Sequence, residues 1–132
     1  MSYLLDTHVW LWLQATPERI RPDLLAEMQD RATHLLLSAA SAWEIAIKWS
    51  LGRLPLPEPP ADYVPGRMHR EGVTGLAVSH VHALRVATLP QHHHDPFDRL
   101  LIAQALVENV PIVTVDPLFD AYEVPTVRAS VR

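Results

Sequence analysis

The 132-residue chain has no cysteine, which excludes disulfide bonds and thiolate chemistry and leaves nothing that points to secretion. It also lacks any run near the roughly 18 consecutive apolar residues that a membrane span requires. The apolar start, MSYLLDTHVWLWLQA, has neither the basic leading region nor the cleavage site of a signal peptide, and it contains Asp6. These absences predict a soluble, cytoplasmic protein that does not interact with a membrane.

An excess of basic residues is missing as well. The net charge is −4, whereas domains that bind nucleic acids are usually basic. Ten of the eleven basic residues are arginine, the side chain that pairs best with phosphate. The same bias is expected from a GC-rich genome, so the arginine content carries little weight as evidence for an RNA partner.

Short apolar segments alternate with helical patterns along the chain. We predict strands at residues 3–5, 34–38, 75–79, 111–116 and 125–129. We predict helices over VWLWL and at residues 22–32, 41–51, 61–71, 80–88 and 96–108. Continuous apolar runs such as HLLLS are typical of parallel strands that are covered on both faces. The pattern therefore predicts a single domain, residues 1–132, with a three-layer α/β/α sandwich around a mostly parallel central sheet.

Four acidic residues occupy positions where such a fold places its chemistry. Asp6 follows the first strand and Asp116 ends the fourth, and ligands of open α/β sheets bind beyond the carboxyl ends of the strands. Glu44 and Asp98 fall near the starts of two predicted helices. All four should therefore meet along one edge of the sheet.

Helix capping offers a purely structural explanation for two of these acids. SAWE matches a capping box with Ser41 as N-cap and Glu44 reaching back to it. In DPFD, Asp95 suits the N-cap, Pro96 the first helical position and Asp98 the first turn. Local sequence does not decide between capping and function.

The expected meeting of the four acids at one edge of the sheet favours a metal site. Carboxylates have an unperturbed pKa of about 4, so several of them at one point would repel one another at neutral pH. A hard cation such as Mg²⁺ or Mn²⁺ removes this repulsion and prefers oxygen ligands. We expect Asp98 to bind the metal, with Asp95 either capping the helix or lying behind the ligands.

The histidine run 92–94 precedes the same helix, but it lacks the spacing of the common zinc motifs. We expect all three side chains to lie in a solvated loop as spectators, although His94 could contact a substrate phosphate. His8, next to Asp6, is expected to pack or to form hydrogen bonds rather than to bind metal.

Four stretches of the chain resemble, in order, the motifs of the PIN-domain ribonucleases, and in particular the VapC toxins of bacterial toxin–antitoxin pairs. The stretches are LLDTHVWLW (4–12), LSAASAWEIAIKWSLGRL (37–54), DPFDRLLIAQA (95–105) and PIVTVDPLF (111–119). The resemblance implies an acidic quartet with two supporting hydroxyls and one further acid. The quartet is Asp6, Glu44, Asp98 and Asp116, the hydroxyls are those of Thr7 and Thr114, and the further acid is Asp95.

The resemblance also implies an activity and partners. Asp6, Asp98 and Asp116 would bind Mg²⁺ or Mn²⁺ for endonucleolytic cleavage of RNA. Arg99 and Lys48 would guide the RNA, or would instead form salt bridges with neighbouring acids. The protein would form a homodimer and be inhibited by a VapB-like antitoxin, and its four tryptophans suit either such interfaces or the core.

Two other functions are considered. A non-catalytic PIN-like module would use the same edge to bind RNA or a protein, and the capping explanations for Glu44 and Asp98 favour it. Phosphoryl transfer through an aspartyl-phosphate is disfavoured, because DTHVW lacks the second aspartate of the D-x-D signature.

Overall fold

A five-stranded, fully parallel sheet lies at the centre of the structure, a computed structural model that describes residues 1–130. Residues 131 and 132 of the predicted domain lie outside the described residues. The strands are β1 (Ser2–Leu5), β2 (His34–Ser38), β3 (Thr74–Leu76), β4 (Ile112–Thr114) and β5 (Thr126–Arg128). Their order across the sheet is β3-β2-β1-β4-β5. The chain adds β2 and β3 on one side of β1 and then crosses to the other side, which places the topological switch between β1 and β4.

Helices connect the strands. They are α1 (Thr7–Ala15), α2 (Pro22–Gln29), α3 (Ala39–Ser50), α4 (Pro60–Glu71), α5 (His80–Arg85) and α6 (Pro96–Glu108). Short 3₁₀ helices lie at Pro17–Arg19, Val86–Thr88 and Pro117–Ala121. In the described part of the chain, no helix combines the length and hydrophobicity needed to cross a membrane.

Two hydrophobic cores lie on opposite faces of the sheet, because successive strand side chains point to opposite sides. Tyr3 and Leu5 of β1 face one core, and Leu4 faces the other. The first core is filled from α1, α2, α3 and α4 by Trp10, Leu24, Ile45 and Tyr63. The second is filled from α6 and the segment after β4 by Leu101, Ile102, Phe119 and Tyr122. This arrangement confirms the predicted three-layer α/β/α sandwich.

Several predicted elements differ in extent from those observed. The predicted strand 75–79 is three residues, Thr74–Leu76, and the predicted strand 111–116 covers only Ile112–Thr114. Asp116 therefore lies two residues beyond β4 rather than at its end. The predicted helix 80–88 is the short helix α5 followed by a 3₁₀ turn. The long helix 96–108 is confirmed, and Asn109 ends it in the left-handed conformation at φ 55°.

Helix α3 begins two residues earlier than predicted, which changes the explanation of Glu44. Ser38 is the N-cap, and its hydroxyl accepts a hydrogen bond from the Ala40 N–H. Ser41 lies inside the helix, so the predicted capping box between Ser41 and Glu44 is wrong. Glu44 therefore has no role in capping α3.

The tryptophans divide between the core and the surface. Trp10 is fully buried, and Trp12 packs against the same core. Trp43 and Trp49 on α3 are 61% and 41% exposed, and Trp43 makes an edge-on contact with Phe97. The exposed pair leaves part of α3 available to a partner.

Candidate active site

The ends of β1 and β4 bring Asp6 and Asp116 to one edge of the sheet. The Asp6 N–H donates to the Val113 carbonyl at 2.9 Å, which continues the pairing of the two strands. The Thr114 hydroxyl donates to Asp6 Oδ2 at 2.8 Å and accepts from the Asp116 N–H at 3.0 Å. Thr114 therefore connects the two acids, which gives it the supporting position that the resemblance implied.

The first turn of α6 brings Asp98 to the same edge. Asp95 Oδ1 accepts hydrogen bonds from the Phe97 N–H at 2.8 Å and the Asp98 N–H at 3.2 Å. The predicted cap is thus confirmed for Asp95. Asp98 lies in the first turn but does not cap the helix, and its side chain is directed toward the other acids.

Glu44 enters the site from α3. It is buried, and its Oε2 contacts the Lys48 ammonium at 2.7 Å. Its Oε1 is also buried and has no hydrogen-bond partner among residues 1–130. A buried carboxylate oxygen without a donor is costly, so this atom is suited to a cation or a bound water.

The carboxylates are close enough to perturb one another. The pKa of Asp98 is raised to about 8, first by burial and then by repulsion from Asp6, Asp95, Glu44 and Asp116. Burial also raises the pKa of Asp6, and the Thr114 hydrogen bond opposes this effect. All four acids predicted as the quartet therefore lie at the same edge of the sheet, where the charges of the other three act on Asp98.

The donor set fits a hard divalent cation. Its carboxylate oxygens are of the kind that Mg²⁺ and Mn²⁺ prefer, and the raised pKa of Asp98 reflects negative charge that a cation would neutralise. Among the described residues, one group of potential ligands has its atoms within 4.8 Å of one another: His93, Asp98 and Asp116. Asp6 is outside this group, although its charge acts on Asp98.

His93 is the residue that the sequence interpretation misjudged. It is buried rather than solvated, and its Nε2 lies 2.8 Å from Asp116 Oδ2 and 3.1 Å from Asp98 Oδ2. Its neighbours His92 and His94 are exposed, as expected. The three identical residues offer no local difference from which the buried one could be chosen, because the choice depends on how the loop turns against α6.

The two predicted RNA contacts have different placements. Arg99 is buried and donates hydrogen bonds to the carbonyl oxygens of Val86, Leu89 and Pro90. This placement contradicts both the predicted RNA contact and the alternative salt bridge. Lys48 forms the predicted alternative, a salt bridge with Glu44, and its side chain is 47% exposed. The Glu44 contact raises the pKa of Lys48.

An open hollow of about 170 Å³ adjoins Glu44, and both polar and apolar side chains line it. His8, Lys48 and Arg53 are the exposed ionisable groups there. Thr7 also borders the hollow, and its hydroxyl donates to the buried Ser41 hydroxyl at 2.7 Å. Thr7 therefore holds α1 against α3.

Comparisons with known proteins agree with this architecture. The PIN domain family model matches residues 3–125. Ribonuclease VapC16 of Mycobacterium tuberculosis (strain ATCC 25618 / H37Rv) is 60% identical over 57 residues, which are 43% of this chain and 40% of that protein. The alignment thus spans less than half of either protein.

Solved structures match nearly the whole chain at low identity. VapBC2 from Rickettsia felis, bound to a DNA fragment from their promoter, has a TM-score of 0.72 at 15% identity, covering 96% of this chain and 98% of that one. VapBC-1 from nontypeable Haemophilus influenzae has a TM-score of 0.66 at 18% identity, covering 96% and 97%. At these identities the likeness concerns the fold. Because the family match covers almost the entire chain and the acids lie at the expected edge, the chain belongs to the PIN domain family.

Proposed function

We propose that the protein is a metal-dependent endoribonuclease that acts as the toxin of a toxin–antitoxin pair. The observation that carries the proposal is the convergence of Asp6, Glu44, Asp98 and Asp116, with the pKa of Asp98 raised to about 8. Such crowding is costly unless a cation neutralises it. The similarity to a protein named Ribonuclease VapC16 supports RNA as the substrate.

The site residues have distinct proposed roles. Asp6, Asp98 and Asp116 would hold Mg²⁺ or Mn²⁺. Such an ion supplies activation of a water nucleophile and neutralisation of charge at the scissile phosphate. Thr114 keeps Asp6 in place through its 2.8 Å hydrogen bond.

Glu44 would orient the attacking water. Its Oε1 is the buried acceptor without a donor, and a water molecule placed there would be aligned by that oxygen. Lys48 holds the other oxygen, Oε2, and so fixes the rotation of the carboxylate.

The RNA backbone would approach over the hollow beside Glu44. An acidic site repels RNA, so cations at its rim are needed to guide the phosphates. Lys48 and Arg53 supply two positive charges there, and His8 adds a hydrogen-bonding ring. Arg53 replaces the buried Arg99 as the proposed arginine contact.

The test compares Asp6→Asn with Asp62→Asn, a change at an exposed acid on α4. Asn keeps an oxygen that can accept the Thr114 hydrogen bond, so the fold should persist. With total RNA and Mg²⁺ or Mn²⁺, we expect the wild type and Asp62→Asn to cleave and Asp6→Asn to lose activity at least 100-fold. Growth arrest on expression should follow the same pattern.

The non-catalytic binding module remains the competing function, but it is weakened because Glu44 does not cap α3. It predicts RNA binding without cleavage by the wild type at any Mg²⁺ or Mn²⁺ concentration. It also predicts that Asp6→Asn changes nothing. Absence of cleavage by the wild type would remove the enzyme proposal, and unchanged cleavage by Asp6→Asn would remove Asp6 from the proposed site.

The proposed partners are a VapB-like antitoxin and a second copy of the chain. The solved neighbours named above are VapBC assemblies. This chain exposes large apolar side chains that suit an interface; on α3 and α5 they are Trp43, Trp49, Val81 and Leu84. Light scattering after size-exclusion chromatography should give twice the chain mass of 14.9 kDa. Co-expression with the product of an adjacent small reading frame should relieve growth arrest.

A further inference from the structure

His93 has a single tautomer, because both ring nitrogens have assigned partners. The Asp95 N–H donates to Nδ1 at 3.1 Å, so Nδ1 is an unprotonated acceptor. A neutral imidazole then carries its hydrogen on Nε2. That N–H faces Asp116 Oδ2 at 2.8 Å and Asp98 Oδ2 at 3.1 Å and is shared between the two carboxylates.

This tautomer prevents Nε2 from serving as a metal ligand, although His93 lies close enough to Asp98 and Asp116 to form a group of potential ligands with them. A metal-binding nitrogen needs a free lone pair, and here that position holds a hydrogen. Moving the hydrogen to Nδ1 would direct it at the Asp95 N–H and break the contact between them. His93 is therefore a donor to the acids rather than a member of the ligand set.

The backbone of His93 is fixed from two sides, so the ring is held in place. Its N–H donates to the Tyr122 hydroxyl at 2.7 Å. The Arg99 guanidinium, which anchors the preceding loop, lies 3.5 Å from the His93 carbonyl oxygen. The ring itself packs edge-on against Phe119. The long side chain of Arg99, which is not available to RNA, thus has a use in building the loop that carries His93.

The two carboxylates that receive the N–H come from different elements. Asp98 is on α6, and Asp116 begins the 3₁₀ helix after β4, where its Oδ1 accepts from the Leu118 N–H at 2.9 Å. Their Oδ2 atoms face the same hydrogen. Without a donor between them, like charges would drive the side chains apart.

We propose that His93 is a positioning residue whose single Nε2–H holds Asp98 and Asp116 at the spacing in which they bind a divalent cation. The inference rests on the proposed function, because it assumes that these acids take Mg²⁺ or Mn²⁺. It adds a residue outside the acidic quartet to the machinery of the site. Partners that orient metal ligands typically contribute 10- to 100-fold to metal affinity.

The tautomer is tested on the wild-type chain by NMR. Long-range ¹H–¹⁵N spectra of the histidine rings are recorded without metal and with saturating Mg²⁺, and His93 is assigned by its loss in His93→Gln. We expect a protonated Nε2 and an unprotonated Nδ1 in both states. An Nε2 that loses its hydrogen on Mg²⁺ addition would make His93 a ligand and overturn the proposal.

The positioning role is tested by calorimetric titration with Mn²⁺. His93→Ala should bind about tenfold more weakly than the wild type. His93→Gln should bind nearly as well as the wild type, because its amide N–H can occupy the position of Nε2–H. His94→Ala, at the exposed neighbouring position, should match the wild-type affinity.

The possible outcomes distinguish the proposed role of His93 from the proposed metal-dependent function on which it rests. Wild-type affinity in His93→Ala, with binding lost in Asp98→Ala, would overturn the role of His93 and leave the metal site intact. Absence of Mn²⁺ binding by the wild type would overturn the proposed function together with this role. If His93→Ala fails to fold by circular dichroism, the NMR measurement on the wild type still tests the proposal, because loss of the Nε2 hydrogen on Mg²⁺ addition overturns it.

Discussion

The pKa of Asp98 is raised far above that of an ordinary carboxyl group. Its pKa in the folded, metal-free protein is about 8, whereas an unfolded chain returns it to near 4. The folded state therefore holds the Asp98 proton more tightly than the unfolded state does. Its contribution to stability is complete below about pH 4 and is lost as the pH rises toward 8.

Replacing Asp98 by Asn should remove this pH dependence. At pH 8 in EDTA, we expect Asp98→Asn to be more stable than the wild type by on the order of 2 kcal/mol, because one pKa unit corresponds to about 1.4 kcal/mol and part of the repulsion relaxes. The difference should shrink toward zero near pH 4. Urea unfolding at both pH values measures it, with Asp62→Asn as control. Parallel pH profiles for wild type and Asp98→Asn would contradict the expectation.

The structural role of Arg99 depends on the several N–H donors of its planar guanidinium group. Its two terminal nitrogens donate to four carbonyl oxygens between residues 86 and 93, those of Val86, Leu89, Pro90 and His93. A lysine ammonium has the same charge but cannot span these acceptors.

We expect Arg99→Lys to lower the free energy of unfolding by about 2 kcal/mol, since it leaves buried acceptors without donors. Arg31→Lys, at an exposed position, should be neutral. Guanidinium chloride unfolding of the three proteins provides the measurement. Equal stability of Arg99→Lys and the wild type would show that water replaces the lost contacts.

At the scale of elements, Asp95 at the start of α6 has both a structural and a functional role. Asp95 caps the helix through Oδ1, while its backbone N–H fixes the His93 ring. Because the second contact comes from the main chain, substitutions of the Asp95 side chain should separate the two.

Asp95→Ala should cost about 1 kcal/mol of stability through loss of the cap, and Asp95→Asn should retain it. Asn109→Ala, at the other end of α6, should cost a similar amount because Ala lacks the short polar side chain that lets Asn tolerate the left-handed conformation at φ 55°. Thermal unfolding monitored by circular dichroism measures all three. If Asp95→Ala were as stable as the wild type, the observed cap would make no net contribution to the stability of the protein.

The start of α3 shows how a sequence pattern can point to the wrong element boundary. Ser38 and Ser41 both precede helical sequence, and only Ser41 is followed three residues later by a glutamate. In the structure Ser38 caps the helix, since β2 ends there. The Ser41 hydroxyl instead forms a hydrogen bond with the hydroxyl of Thr7 on α1. The boundary is set by the sheet and by the packing of α1, neither of which is local to the motif.

At the scale of the whole molecule, metal binding should be coupled to folding. The acids come from the residue after β1, from α3, from α6 and from the segment after β4, so the site exists only when the sheet and both helix layers are assembled. An ion that binds only the folded state stabilises it by about 2.7 kcal/mol at 100 times its Kd.

Saturating Mg²⁺ or Mn²⁺ should therefore raise the Tm by several degrees, and EDTA should reverse the rise. Asp98→Asn should already be more stable without metal and should gain little from it. Differential scanning fluorimetry across a metal titration tests both points. Equal shifts in the two proteins would place the binding elsewhere, and NaCl at matched ionic strength serves as a control for non-specific ionic effects.

The sequence by itself determined the layered α/β architecture and the four acids. Apolar runs covered on both faces require a parallel sheet between helices, and residues that follow such strands or start such helices must share one edge. Asp6, Glu44, Asp98 and Asp116 could be identified on these grounds together with the family resemblance.

Only the tertiary structure decided which neighbours complete the site. It buried His93 and left His92 and His94 exposed, turned Arg99 inward, and placed Ser38 rather than Ser41 at the start of α3. Each of these outcomes depends on contacts between segments distant in the chain, such as Tyr122 with His93, 29 residues apart. Local sequence fixes periodicity and turn chemistry, but a side chain's partner is selected by the packing of the assembled sheet and helices.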